Sequence, residues 1–261
     1  MSLIIALSGK KQSGKNTAAN YLSGKYLLRT NEIKNFKINT MGLLEFKTNN
    51  HWSIVKEGDF NFLFGNTGIK LYSFADYLKE FCIDVFGLTN EQCYGTDEQK
   101  NTLTSLKWEN MPTPSFDLSE EFNLGSDIAC VKRMGKNGQM TAREVLQYLG
   151  TDIIRKMLNN AWVNATLNKI RKEKPDLAII TDARFPNEIE GVNSIGGKTV
   201  RLLRHANLID EHYSEKALDN YSHEKFTLVI DNRNDTIEEQ CIKFDPYINQ
   251  WFDLMKYREN K

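Results

Sequence analysis

Short apolar runs alternate with longer amphipathic stretches along most of this chain. Leu3–Ser8, Lys70–Phe74, Leu177–Thr181, Thr199–Leu203 and Thr227–Ile230 are rich in Val, Ile, Leu or aromatic residues. Runs of that kind suit strands buried on both faces, as in a parallel sheet. Helical patterns follow most of them, over Lys15–Leu27, Ala75–Phe86, Asn187–Ile195 and Thr236–Phe252. The alternation predicts an α/β fold in three layers, an open parallel sheet with helices on both faces. In such a sheet the ligand lies beyond the carboxyl ends of the strands, so chemistry is expected in the residues just after each run.

Two segments break the rhythm of a chain otherwise read as one domain over 1–261. Residues from about 29 to 69 are polar with scattered aromatics (Trp52, Phe60, Phe62, Phe64), which reads as an irregular or hairpin insertion. Residues from about 95 to 140 carry Met111-Pro112-Thr113-Pro114 and Gly135-Lys136-Asn137-Gly138. They read as a loop-rich substrate or lid region, with a hairpin near Val131–Met140.

The first run stops at Gly9, and Gly14-Lys15 follows before the first helical pattern. Strand, glycine loop and helix start are the layout of a phosphate-binding P-loop. Gly9 and Gly14 let successive backbone N–H groups turn inward around phosphate oxygens, where a Cβ would block the approach. The helix N-terminus adds unpaired N–H groups and a partial positive charge. Lys15 has the reach for the β- and γ-phosphates of a nucleoside triphosphate, and a hydroxyl such as that of Thr17 suits Mg²⁺. Asn16 stands just after the lysine, where Ser or Thr is usual, and Thr17 comes one step later. Glycine loops ending Gly-Lys-x-Thr are familiar in kinases that phosphorylate nucleotides.

The second run leads into Phe74-Ala75-Asp76-Tyr77-Leu78-Lys79, where Asp76 is placed to cap a helix. Lys79 falls in the first helical turn, where a cation opposes the helix dipole and so points to an anion; taken alone, an ordinary solvated lysine is the better account. The third run leads into Thr181-Asp182-Ala183-Arg184-Phe185-Pro186-Asn187-Glu188. Ile-Ile-Thr-Asp is similar to a Walker B ending, with Asp182 placed for Mg²⁺ or for orienting the attacking oxygen. Arg184 suits a bidentate clamp on phosphate; the bland alternative is an Asp182–Arg184 surface pair. Thr141 and Glu144 form a capping box, which puts Arg143 in another first turn. Trp162 lies on the following helix, where core packing is the common fate of a tryptophan. His212-Tyr213-Ser214-Glu215 lacks the nucleophile elbow of acyl chemistry and reads as a loop over the phosphates.

Lys+Arg and Asp+Glu are equal at 34 each, so the formal net charge is zero. That disfavours a nonspecific nucleic-acid binder, while small phosphorylated ligands need only a local positive site. Cys82, Cys93, Cys130 and Cys241 are far apart in sequence and form no zinc pattern. Free thiols in a reducing cytoplasm account for them. The opening apolar run is too short for a signal peptide, and nothing approaches the length of a membrane span.

Taken together, the chain resembles the bacteriophage deoxynucleoside monophosphate kinases, a branch of the P-loop nucleoside-monophosphate kinase superfamily. The matching segments are Ser8–Thr17, Phe74–Lys79, Met140–Gln147 with Leu149–Asp152, Asp182–Glu188 and His212–Glu215. The Arg-Glu-x-Leu-Gln-x-x-Gly-Thr-Asp and Asp-x-Arg-Phe-Pro-Asn-Glu stretches carry most of the specificity. The resemblance implies a five-stranded parallel sheet, Mg²⁺-ATP as donor and a 2′-deoxynucleoside 5′-monophosphate as acceptor. It implies that Lys11, Ser13, Gly14, Lys15, Asn16 and Thr17 bind ATP. Lys79, Arg143, Gly150, Thr151, Trp162, Asp182, Arg184 and Glu188 would line the acceptor site, with Lys100 as an added basic contact. Lys15, Asp182, Arg184 and Arg143 would carry the catalysis, and a homodimer is a family-level expectation. Where the family shows a proline after Phe-Ala-Asp, this chain has Tyr77, and the 29–69 insertion has no family counterpart. Two other readings stay open: a P-loop kinase of another small acceptor, such as dephospho-coenzyme A or phosphomevalonate, and a nucleotide-binding regulator without turnover. The Asp182/Arg184 pair argues against the regulator, and zero net charge against a nucleic-acid-dependent ATPase.

Overall fold

The computed structural model describes residues 2–49, 51–56, 58–112, 136–204 and 216–259. These fall into two compact units, one of Met1–Phe74 with Val163–Lys261 and one of Ala75–Trp162. The first unit opens with β1 (Leu3–Ser8) and α1 (Lys15–Arg29), then β2 (Asn35–Ile38), β3 (Leu44–Thr48), β4 (His51–Ile54), α2 (Phe60–Phe64) and β5 (Ile69–Tyr72). The second unit holds α3 (Asp76–Phe86), α4 (Asn90–Tyr94), α5 (Asp97–Lys100), β6 (Leu103–Lys107), β7 (Gln139–Thr141), α6 (Ala142–Gln147) and α7 (Arg155–Met157). Within α8 (Ala161–Glu173) the chain returns to the first unit. It continues through β8 (Leu177–Ala183), α9 (Pro186–Ser194), β9 (Lys198–Leu202), β10 (Leu228–Ile230), α10 (Ile237–Ile242) and α11 (Asp245–Glu259).

The five apolar runs of the sequence become one sheet in the order β10-β9-β1-β8-β5, and every neighbouring pair is parallel. β1 lies at its centre and is buried at all its positions, as a strand covered on both faces must be. α1 lays Ala18, Ala19, Leu22 and Tyr26 into the core, the three-to-four spacing of an amphipathic helix. The pairing of β1 with β8 slips by one residue. Ala6 faces Ile180 and Ser8 faces Ala183, so Thr181 and Asp182 together oppose Leu7. Such a bulge re-aims side chains at the end of a strand, and here the strand end carries Asp182.

Residues 29–69 are more regular than the polar sequence suggests. β2, β3 and β4 form a three-stranded antiparallel sheet. The strands are short and half exposed, so only every second residue is apolar, which hides them among polar neighbours. Phe36 packs on Tyr21 of α1 with ring centroids 5.8 Å apart. Gly24 permits this approach, since a Cβ there would lie 2.4 Å from the Phe36 ring. The long helix expected over Thr236–Phe252 is two helices, α10 and α11. Pro246 lacks the N–H for a helical bond and its ring disfavours helix at the residue before it, which breaks the run.

In the second unit, β6 and β7 pair antiparallel. The hairpin expected near Val131–Met140 lies mostly outside the described residues, as do His212–Glu215 and Cys130. Thr89, Thr96 and Thr141 each begin a helix with a capping box, the last as anticipated. Asp76 is not the cap of α3; Ala75 holds that position and Asp76 sits in the first turn, where its charge suits the dipole. The α6 helix passes into a π-helix over Tyr148–Ile154, a distortion that recurs at functional sites. Among the described residues, no helix is long and apolar enough to cross a membrane. Cys82, Cys93 and Cys241 are buried free thiols.

Candidate active site

The loop after β1 is built from its glycines outward. Gly9 takes φ +157 and Gly14 φ +90, and the latter is a left-handed conformation that L side chains resist. A Cβ on Gly9 would fall 2.3 Å from Ser13 Oγ, so the glycine makes room for that hydroxyl. Ser13 Oγ is buried and has no hydrogen-bond partner among the described residues, an arrangement that costs about 1–3 kcal/mol unless a ligand completes it. No side chain caps the start of α1 and its first turn holds no acidic residue. A helix start of that kind suits an anion. The Lys15 ammonium donates to Gly9 O and Lys10 O, both at 2.7 Å.

Asp182, two residues before Arg184, is oriented by the end of β5. Its Oδ1 accepts from Phe74 N at 2.7 Å and its Oδ2 from Ser73 Oγ at 2.5 Å. Glu188 is fully buried, and its Oε2 accepts from the backbone N–H groups of Arg184 at 2.7 Å and Phe185 at 3.1 Å. That carboxylate therefore fixes the chain on which Arg184 stands and starts α9, with Pro186 at the first helical position. Thr17 Oγ1 faces the β2–β3 turn, where a Cβ on Gly42 would come within 2.4 Å of it. Asn20 Nδ2 donates to Gly42 O at 2.9 Å, so α1 grips the insertion through this turn. The metal role expected for Thr17 rests on its place in the motif. Asn16 is exposed, and Lys11 is partly buried.

Lys15 reports how closely the charged groups of this unit gather. Its pKa falls from 10.5 to about 7, through burial first and then the Arg184 cation; Asp182 opposes the shift and Arg201 adds to it. A bound polyphosphate places negative charge beside the ammonium and restores its proton. ATP binding at pH 8 is therefore expected to take up about one proton. Its affinity should fall by up to about tenfold per pH unit above neutrality. Calorimetry in buffers of different ionisation enthalpy measures the uptake, which should vanish in Lys15→Arg. Buffer-independent heats and a flat affinity between pH 7 and 9 would contradict it.

In the second unit the expected acceptor residues form two groups. Arg143 donates from Nη2 to Asp97 Oδ1 at 2.6 Å and from Nε to Asn101 Oδ1 at 2.9 Å. The anion that its first-turn place calls for is thus, at least in part, Asp97. Lys79 Nζ lies 4.3 Å from the Tyr94 ring centroid. The Cys93 thiol, raised in pKa by burial, is pulled back by both Lys79 and Lys100, which brings those two cations to one place. The other group surrounds the π-helix. Trp162 is buried and donates from Nε1 to Gly150 O at 3.1 Å. Gly150 meets Leu78 so closely that a Cβ would lie 2.5 Å from its Cδ2. Trp162 therefore supports Gly150 and, next to it, Thr151.

Four residues of the first unit were not foreseen: Ser73, Arg201, Asn232 and Gln240. Arg201 is buried, donates to Ser8 Oγ at 3.0 Å and lies beside Phe226. Asn232 and Gln240 lie behind the glycine loop. The sequence signal for the first three was place alone: Ser73 lies near the end of one predicted strand, Arg201 in the middle of another, and Asn232 just after a third.

A glycine loop that ends in an uncapped helix start and a buried ammonium has a polyphosphate as its natural guest. The five-stranded parallel sheet that carries it is that of the P-loop kinases. Within that class, a family model described as deoxynucleotide monophosphate kinase matches residues 3–243, and the chain belongs to this family. It is 28% identical over 250 residues, 91% of each chain, to a protein of Acanthamoeba polyphaga mimivirus provisionally named a deoxynucleotide monophosphate kinase. Over 72 residues, 27% of this chain and 24% of the other, it is 36% identical to the deoxynucleoside-5′-monophosphate kinase of Escherichia phage T5. The resemblance read from the motifs is thereby borne out.

Proposed function

We propose that this protein transfers the γ-phosphoryl group of ATP to a 2′-deoxynucleoside 5′-monophosphate, giving ADP and the deoxynucleoside diphosphate. The observation that carries the reading is the gathering of Lys15, Asp182 and Arg184 at one sheet edge, around a glycine loop with a buried hydroxyl that has no partner among the described residues. An oxygen of the acceptor phosphate forms the new bond to the γ-phosphorus, and the bond from that phosphorus to the β–γ bridging oxygen breaks. No proton has to move, because the acceptor phosphate is already ionised near neutrality. Catalysis is then positioning and charge neutralisation. Lys15 and the loop N–H groups hold the donor phosphates, and Arg184 faces the transferring group. Lys79, Lys100 and Arg143 serve the acceptor phosphate, while Gly150 and Thr151 shape the acceptor side.

Among the described residues no cluster of three His, Cys, Asp or Glu side chains gathers, which fits Mg²⁺. That ion is held by one or two carboxylates and the substrate's own phosphates. Asp182 is the carboxylate that would hold it, and the ion would supply further neutralisation of phosphate charge.

Release of ADP, coupled to a panel of deoxynucleoside and nucleoside monophosphates and dephospho-coenzyme A, tests the reading. One ADP per deoxynucleoside diphosphate is expected; turnover only with dephospho-coenzyme A, or with no acceptor, would overturn it. Trp162 gives a finer prediction. Trp162→Phe removes the donor to Gly150 O and should lower the kcat/KM preference for dGMP over GMP by about 10-fold, or ~1.4 kcal/mol. An unchanged ratio would assign Trp162 to packing alone.

A further inference from the structure

The carbonyls of a phosphate loop need donors as its N–H groups need acceptors: Gly9 O and Lys10 O take the Lys15 ammonium, while Gly14 O takes Ala18 N at 2.9 Å and has room for a second donor. Two buried amide side chains bind the next two carbonyls, at Ser13 and, beside the helical bond, at Gly14. Asn232 Nδ2 donates to Ser13 O at 2.9 Å and to Gln240 Oε1 at 2.7 Å. Gln240 Nε2 donates to Gly14 O at 3.0 Å. Asn232 Oδ1 accepts from Arg204 N at 2.8 Å, and Asn232 O accepts from Arg204 Nε at 2.9 Å. The relay has one direction only. Turning either amide over would set oxygen against carbonyl oxygen, at Ser13 or at Gly14.

Both side chains are essentially inaccessible, at 0% and 1% exposure, where an unsatisfied amide is costly. Gly14 is part of the device. A Cβ there would lie 2.3 Å from Gln240 Oε1, so the amide seats directly against the glycine. Asn232 follows β10 at the carboxyl edge of the sheet and Gln240 lies in α10. The relay thus ties the last strand and the next helix to the loop at the start of the chain.

We propose that Asn232 and Gln240 are positioning residues for the donor nucleotide: they hold the Ser13 and Gly14 peptides in the orientation that aims the loop N–H groups at phosphate. The proposal rests on the kinase reading above. It assigns a function to two side chains that touch no substrate and act through the loop. A misplacement of about 1 Å in a positioning group costs roughly 10²-fold in rate, which sets the scale of the expected effect.

Gln240→Glu keeps the shape and removes the donor to Gly14 O; Gln240→Met keeps the length and removes both polar groups. In either variant the KM for ATP should rise about 10- to 100-fold, with the KM for the deoxynucleoside monophosphate within about 2-fold of wild type. The rise in melting temperature that ATP gives the wild type should shrink in proportion. A lower melting temperature with unchanged KM for ATP and unchanged ATP-induced stabilisation would reduce the relay to packing and overturn the proposal. Wild-type turnover in the same assay separates this failure from a failure of the kinase reading. If neither variant folds, amide hydrogen exchange on the wild type decides. Protection by ATP that reaches α10 together with the loop amides at 13–14 supports the relay, and protection confined to the loop beside an unchanged α10 refutes it.

Discussion

Lys15→Ala is expected to lower kcat/KM by about 10³-fold or more, the scale of a lost phosphoryl clamp and about 4 kcal/mol of transition-state stabilisation. The size follows from where the ammonium sits. It is 9% exposed, at the end of the glycine loop and at an uncapped helix start, so water does little to screen it from a phosphate. On the proposed reaction, removing it takes a buried cation out of the donor-phosphate site. The same burial makes Lys15 a liability to the fold. With its pKa at about 7 in the folded chain and 10.5 as the reference, both states carry the proton below pH 7, and the folded state there bears the whole cost of a buried charge. That cost is released as pH rises from 7 towards 10.5. Lys15→Met, which keeps most of the volume, is therefore expected to melt at or above the wild-type temperature at pH 6 without nucleotide. Its advantage should shrink at higher pH, and the stabilisation by ATP should be lost. Steady-state kinetics and melting curves with and without ATP measure the two halves. Activity within a few-fold of wild type would remove Lys15 from the phosphate site.

What the sequence disclosed follows from the kind of physics behind each feature. A strand buried on both faces must be apolar at every position, so β1 and its four partners stood out as runs. A loop that needs φ values forbidden to other residues must spend glycines, so Gly9 and Gly14 were visible too. Asp182 and Arg184 showed through because the carboxyl edge of the sheet is predictable once the strands are. The short sheet of residues 35–54 was concealed by its half exposure, and the split between α10 and α11 hung on a single proline. The least legible features depend on pairs far apart in the chain. Ser73 meets Asp182 across 109 residues, Arg201 meets Ser8 across 193, and Gln240 meets Gly14 across 226. Glu188 stood in the motif, but its service to the backbone of Arg184 needs the turn at Phe185 to exist first.

Arg184 carries the second large effect. It stands two residues beyond Asp182, past the bulge that ends the β1–β8 pairing, and the buried Glu188 carboxylate holds its backbone N–H. After burial, its charge is the strongest influence on Lys15. Two cations this close repel one another, and a triphosphate between them repays that repulsion most where negative charge is greatest, on the group in flight. Arg184→Ala should therefore lower kcat/KM with ATP and dGMP by about 10³-fold or more, chiefly through kcat. Arg184→Lys should recover little, because a point charge on a flexible stem does not reproduce a planar two-pronged donor. Arg184→Ala carries an internal check. Without the neighbouring cation the pKa of Lys15 rises, so the pH at which ATP binding starts to take up a proton must move upward. A variant that loses activity while that pH stays in place would separate Arg184 from Lys15, and one with near-normal kcat would remove it from the transition state.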